Sequence, residues 1–317
     1  MIASVEAYTW LSIAVKAVTY VATLLAVGSV LASAGLRGLA PDERSVLSRT
    51  ALVWALVAAV FSVLRLPIRA GYLAGGSLQD MLDPALLQIV AESPLGSAVT
   101  VRLVGLLLIA AAVLLRAGPA MWVASSGALL TCASFALRGH ALGDPRLILA
   151  TLVTLHIGGL AFWIGSLAPL ARRAGRASPV RAGALADEFG RKAAWIVAGL
   201  IIAGAITLWQ LGLSSVSAVG TPYGQLFTVK LLLVAVVLGL AALNRFRLTP
   251  RLLSARPEAG GQLRRSIGIE AAVIVVILLT TAVVTTVATP PRESEHAAGA
   301  CFVPRHPASR DGMGMVT

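Results

Sequence analysis

The chain has 317 residues, of which 57% are hydrophobic and only 13% are charged, and its formal net charge is +12. A soluble domain carries about 25% charged residues, so the composition excludes an ordinary soluble globular protein. The apolar residues form runs of about 20, separated by short basic or Gly- and Pro-containing stretches, which is typical of membrane-spanning helices. We therefore predict an all-α fold, a polytopic bundle of transmembrane helices.

The predicted spans, taken in chain order, number eight. They cover residues 10–33, 51–66, 99–115, 121–137, 147–170, 193–213, 226–244 and 269–288. The segment 78–94 is mixed in character, so we expect a loop with a short amphipathic piece. The first span is longer than the apolar region of a signal peptide and follows Glu6 rather than basic residues, so we expect it to be retained. Residues 1–289 would form one membrane domain, followed by a disordered tail at 290–317.

The charge distribution predicts the orientation. Arginine and lysine are concentrated in the loops after spans one, three, five and seven, whereas the opposite side has few and the loop 212–225 has none. By the positive-inside rule, the basic loops face the cytoplasm and both termini face outward. The charge thus reflects topology, and we expect no nucleic-acid partner.

Sequence motifs of enzymes do not account for this chain. It has no P-loop, dinucleotide-binding glycine pattern, CxxC or paired-carboxylate site. Cys132 in span four and Cys301 in the tail are not expected to form a disulfide. We therefore expect a binding or transport protein rather than an enzyme.

The first candidate site residue is His156, in the uncharged run 147–170. An imidazole at membrane depth needs a hydrogen-bond partner, a metal or a cavity. Trp163 follows seven residues later, about two helical turns, and should share its face. The alternative to a metal-binding role is a histidine hydrogen-bonded to a neighbouring helix.

A second candidate is His140, at the end of span four and before the short hairpin to span five. Neutral imidazoles are common metal ligands, and two suit copper, zinc, iron or haem. Alone, His140 would be read as an interfacial residue facing water. Cys132 lies two turns inward; its thiolate would favour Cu(I), but buried cysteines are mostly inert packing.

Other polar residues in or near the spans are Lys16, Lys230 and Glu270, which we expect to form structural ion pairs, Glu270 with Arg265 or a neighbouring basic residue. The tail combines imidazole, thiol and thioether groups, the soft ligand set for copper. Its residues are His296, Cys301, His306, Met313 and Met315. Their irregular spacing favours a solvated end, with a copper-capture arm as the alternative.

Three strings together resemble the CopD family of copper-resistance membrane proteins. They are GHA at 139–141, HIGGLAFWIGSLAPL from His156, and TPYGQLFTVKLLLVAVVLGLAALNRFRLTP from Thr221. The last span, ending in TTVATPPR, is also similar to the family's final helix. Their order and spacing make the combination specific over roughly residues 10–292.

The resemblance implies an inner-membrane protein of copper transport and metal homeostasis. It also implies a soluble periplasmic copper carrier of the CopC type as partner. The matched residues are His140, His156, Trp163, Gly165, Tyr223, Gly224, Lys230 and Asn244. Of these, the two histidines are the expected copper ligands, and the others would serve the pathway or its packing.

Three hypotheses remain open. Copper, as Cu(I) or Cu(II), would enter from the periplasm at His140 and His156, with Trp163 lining or gating the cytoplasmic half. Alternatively, the histidines would ligate one b-type haem for electron transfer. A third hypothesis is a non-transporting factor that delivers copper to a partner. The sequence leaves the oligomeric state open.

Overall fold

The structure is a computed structural model that describes residues 2–75, 80–115, 119–138, 145–176, 178–210, 222–256 and 258–287. In these ranges every regular element is helical, and no strand is present. The main helices are α1 (Ile2–Gly35), α2 (Pro41–Leu73), α3 (Pro84–Glu92), α4 (Pro94–Leu114), α5 (Pro119–Ala133), α6 (Arg146–Arg176), α7 (Pro179–Gln210), α8 (Pro222–Leu243), α9 (Thr249–Leu253) and α10 (Glu258–Val287). The predicted all-α fold is confirmed.

Eight helical stretches are long and apolar enough to span a membrane. They are α1, α2, α4, α5 with its 3₁₀ extension Ser134–Leu137, α6, α7, the continuous α8–α9 stretch, and α10. The eight predicted spans are therefore confirmed. The short amphipathic piece is α3, whose first turn is capped by the Asp83 carboxylate.

Several helices extend beyond their apolar runs. The clearest example is α7, which begins at Pro179, well before the predicted start at residue 193. Its early turns carry Asp187, Glu188 and Lys192, which form ion pairs and so keep a polar segment helical. Hydropathy alone therefore underestimates the helix length.

Ion pairs join the helices at one end of the bundle, which we call the basic end (residues 35–44, 172–192 and 245–265). Arg173 pairs with Glu43, linking α6 to α2. Glu188 accepts hydrogen bonds from the backbone N–H groups of Arg37 and Gly38, at 2.8 and 2.9 Å. These bonds fasten the α1–α2 turn to α7. The cytoplasmic location of this end stays a prediction.

Two glycines allow α1 and α6 to cross in direct backbone contact. A Cβ atom built on Gly165 would lie 2.1 Å from the carbonyl carbon and oxygen of Gly28, and one on Gly28 would lie 2.2 Å from the oxygen of Ala161. No side chain fits such a crossing, which is how small residues bring membrane helices together. The crossing holds α6, and with it Trp163, against the bundle core.

Candidate functional site

A buried polar cluster joins three helical segments near the basic end. The carboxylate of Glu270 on α10 accepts a hydrogen bond from the indole Nε1 of Trp163 on α6. Its other oxygen accepts one from Asn244 Nδ2 at 3.1 Å. Glu270 is 2% exposed and Trp163 6% exposed, so the carboxylate and the indole are buried, whereas Asn244 is half-buried.

The backbone at Asn244 has an unusual conformation, which helps to position the Asn244 side chain. Residues Asn244–Leu248 form a π-helical turn between α8 and α9. The backbone N–H of Thr249 reaches the Asn244 carbonyl five residues back, and the Thr249 hydroxyl donates to the same oxygen at 2.8 Å. Such wide turns are rare and occur frequently at functional sites. Here the turn lies where Asn244 bonds to the α10 carboxylate.

The structure contradicts our prediction for the partner of Glu270. We expected it to pair with Arg265 or a nearby basic residue, but the described residues place no cation within ion-pair distance of it. Arg245, next to Asn244 in the chain, pairs instead with Asp187 at 2.8 Å. Burying a carboxylate without a counter-ion is costly, so its two neutral donors are essential to this arrangement.

An apolar cavity of about 330 Å³ adjoins the cluster, between α6, α7, the α8–α9 stretch and α10. Trp163, Asn244 and Glu270 line it together with the polar residues Arg245 and Thr249. Phe189 lies beside Trp163, with ring centroids 5.9 Å apart. The Asn244 Oδ1 atom is buried without a donor among the described residues. An acceptor without a donor and a buried carboxylate thus lie side by side at the wall of the cavity.

The side chain of His156 is exposed on α6, in contrast to the burial expected for it. Seven residues later on nearly the same face, Trp163 is covered by α7 and α10. Neighbouring helices therefore cover this face of α6 at Trp163 but not at His156. Lys230 of α8 is half-buried and lies close enough to His156 for their charges to interact.

Of the other predicted copper ligands, Cys132 alone lies among the described residues. Cys132 is 3% exposed in the core, where a Cβ on Gly158 of α6 would lie 4.0 Å from its Sγ atom. His140 and the tail candidates lie outside the described residues, as does the side chain of Tyr223. Among the described residues, no group of three or more histidine, cysteine or acidic side chains could hold a metal ion.

Comparison with known protein families finds two matches that together cover most of the chain. Residues 183–284 match the family model for copper resistance protein D. Residues 5–145 match the model for the copper resistance protein D-like N-terminal domain. The chain belongs to the CopD family. Neither the search of curated proteins nor that of solved structures finds a match.

Membership of the CopD family makes this a membrane protein of copper resistance. The structure gives physical reasons for three of the residues that carried the resemblance. Trp163 and Asn244 donate to one carboxylate, and Gly165 permits the α1–α6 crossing. The partner of Trp163 and Asn244, Glu270, was missed as a site residue. Its signal was a lone carboxylate followed directly by the apolar run AAVIVVILL.

Proposed function

We propose that this CopD-family protein imports copper, which enters from the side opposite the basic end and binds at His140 and His156. Copper is the cargo rather than a resident cofactor. The observation that carries the proposal is the position of His156 on a membrane-spanning helix of a copper-resistance protein, without a hydrogen-bond partner among the described residues that would explain it as packing. An imidazole at membrane depth needs a polar partner, and a neutral imidazole is a good copper ligand.

The proposed route runs along α6 from His156 toward the basic end. Trp163 lies seven residues further on, roughly 10 Å along the helix. Its indole, held by Glu270 and packed on Phe189, closes the helices at that level. We assign Trp163 the role of a gate and the adjacent cavity that of the space beyond it.

In this proposal the protein lies in the bacterial inner membrane with both termini in the periplasm. A soluble periplasmic copper carrier of the CopC type delivers the ion to the His140 side. The alternative of a delivery factor that does not transport copper shares the binding site but gives no net uptake. The single b-haem alternative would use the same two histidines and is distinguished by its visible spectrum.

The test is the copper content and visible spectrum of the purified protein, compared with His140→Ala and His156→Ala. Leu155→Ala is the matched control, since Leu155 is the exposed neighbour of His156 on α6. We expect stoichiometric copper in the wild type and in Leu155→Ala, and loss of copper in each histidine variant. Copper retained in both histidine variants would reject the site. A Soret band lost in both would identify a haem protein instead.

A further inference from the structure

A second group of buried polar residues lies in the N-terminal half, away from the basic end. It comprises Lys16 on α1, Arg65 on α2, Arg102 on α4, and Arg138 after the 3₁₀ turn Ser134–Leu137; we call it the cationic cluster. Lys16, Arg65 and Arg102 are 9%, 8% and 2% exposed. Arg65 and Arg138 lie within electrostatic interaction distance of both Lys16 and Arg102.

Arg102 is the most deeply buried member. Its Nε atom donates to Ser134 Oγ at 3.0 Å, and its guanidinium carbon lies 4.3 Å from the ring centroid of Phe135. Its Nη1 atom is buried and finds no acceptor among the described residues. A buried guanidinium with an unused donor requires an explanation, because the cost of such a group is high.

Lys16 is satisfied only by neutral groups. Its Nζ atom donates to the Thr285 carbonyl oxygen at 2.9 Å and to the Thr286 hydroxyl at 2.7 Å. In the described part of the chain, every salt bridge lies at the basic end, and none includes a member of the cationic cluster. The cluster therefore has positive charge at depth without a described carboxylate to balance it.

Two further unpaired groups lie on the same helices. Thr23 Oγ1 on α1 and Ser62 Oγ on α2 are buried and have no hydrogen-bond partner among the described residues. Ser62 precedes Arg65 by three residues, so both share one face of α2. Hydroxyl donors beside guanidinium groups are the usual composition of an oxyanion site.

We propose that the cationic cluster binds a phosphate-type oxyanion, held by Arg65 and Arg102, with the Lys16 ammonium adding positive charge beside Arg65. The anion would offset the mutual repulsion of these cations and accept from the free Nη1 of Arg102. Phosphate geometry matches guanidinium forks. Arg138 precedes the proposed copper ligand His140 by two residues, and the oxyanion proposal does not rest on copper binding.

The same chemistry could come from inorganic phosphate or from the headgroup of an anionic phospholipid. The test uses the full chain, purified in a neutral detergent and stripped of lipid. Its thermal unfolding midpoint is measured with added inorganic phosphate against chloride at equal ionic strength. A parallel arm adds phosphatidylglycerol or phosphatidylcholine to the micelles.

We expect either phosphate or phosphatidylglycerol to raise the wild-type unfolding midpoint in a saturable way. Whichever of the two additives does so identifies the source of the bound phosphate group. Lys16→Met and Arg65→Met should lose at least half of this shift, whereas Arg49→Met, at an exposed arginine of α2, should keep it. Using two cluster variants covers the case in which one fails to fold. A wild-type midpoint unmoved by either additive, or an equal loss in Arg49→Met, would overturn the proposal.

Discussion

Replacing Trp163 with phenylalanine should weaken the fold through the buried carboxylate. The substitution keeps an aromatic ring beside Phe189 but removes the indole N–H that donates to Glu270, leaving Asn244 as its donor. A hydrogen bond to a charged group contributes about 1.5–3 kcal/mol. With the smaller ring also leaving space in the core, we expect a loss of about 3 kcal/mol in the free energy of unfolding.

The assay is equilibrium unfolding by SDS in mixed micelles, followed by circular dichroism. Trp195→Phe is the matched control, because Trp195 is 82% exposed. Its substitution should change stability by less than about 0.5 kcal/mol.

A double-mutant cycle isolates the hydrogen bond from the loss of ring volume. In a Glu270→Gln background the indole would face a neutral acceptor, so Trp163→Phe should cost at least ~1 kcal/mol less than in the wild type. An equal cost in the two backgrounds would refute the assignment of Trp163 and Glu270 as an energetically coupled pair.

Four other predictions concern packing and ligands. Gly165→Ala should lower the unfolding midpoint clearly, because its Cβ would collide with the Gly28 backbone, whereas Gly158→Ala should have little effect; thermal unfolding in detergent compares them. Glu43→Gln should destabilise the basic end by about 1 kcal/mol or more, measured by SDS unfolding, since it breaks a largely buried ion pair with Arg173. Cys132→Ala should leave the copper content of the purified protein unchanged, because the thiol packs in the core; loss of copper would make it a ligand. Deleting residues 293–317 should reduce copper loading only slightly, and complete loss of copper from the deletion variant would place the copper site in the tail.

The number and position of the spans could be predicted because they depend on local properties. Each transmembrane helix needs about 20 apolar residues, and the chain separates such runs clearly. Prolines add a second local signal, since α2, α3, α4, α5, α7 and α8 each begin at one. The helix termini near the basic end were harder to predict from the sequence, because ion pairs such as that between Lys192 and Glu188 keep polar turns helical.

The partners of the buried polar groups could not be predicted in the same way. Whether Glu270 meets Arg265 or Trp163 depends on the rotation and depth of α10 against α6, which apolar periodicity does not determine in a helix that is hydrophobic on all sides. The same holds for His156 and Trp163, which share a helical face although only Trp163 is covered. The cationic cluster gathers residues from four distant parts of the chain, and in sequence each resembled an isolated charge.

Copper uptake by the reconstituted protein tests the central proposal most directly. Proteoliposomes containing a copper chelator would be supplied with external copper, using the wild type, His156→Ala and Leu155→Ala, beside protein-free vesicles. The account predicts uptake by the wild type and Leu155→Ala, and a loss to the protein-free level in His156→Ala. Uptake by His156→Ala equal to the wild type, or no uptake above protein-free vesicles by any of them, would contradict it.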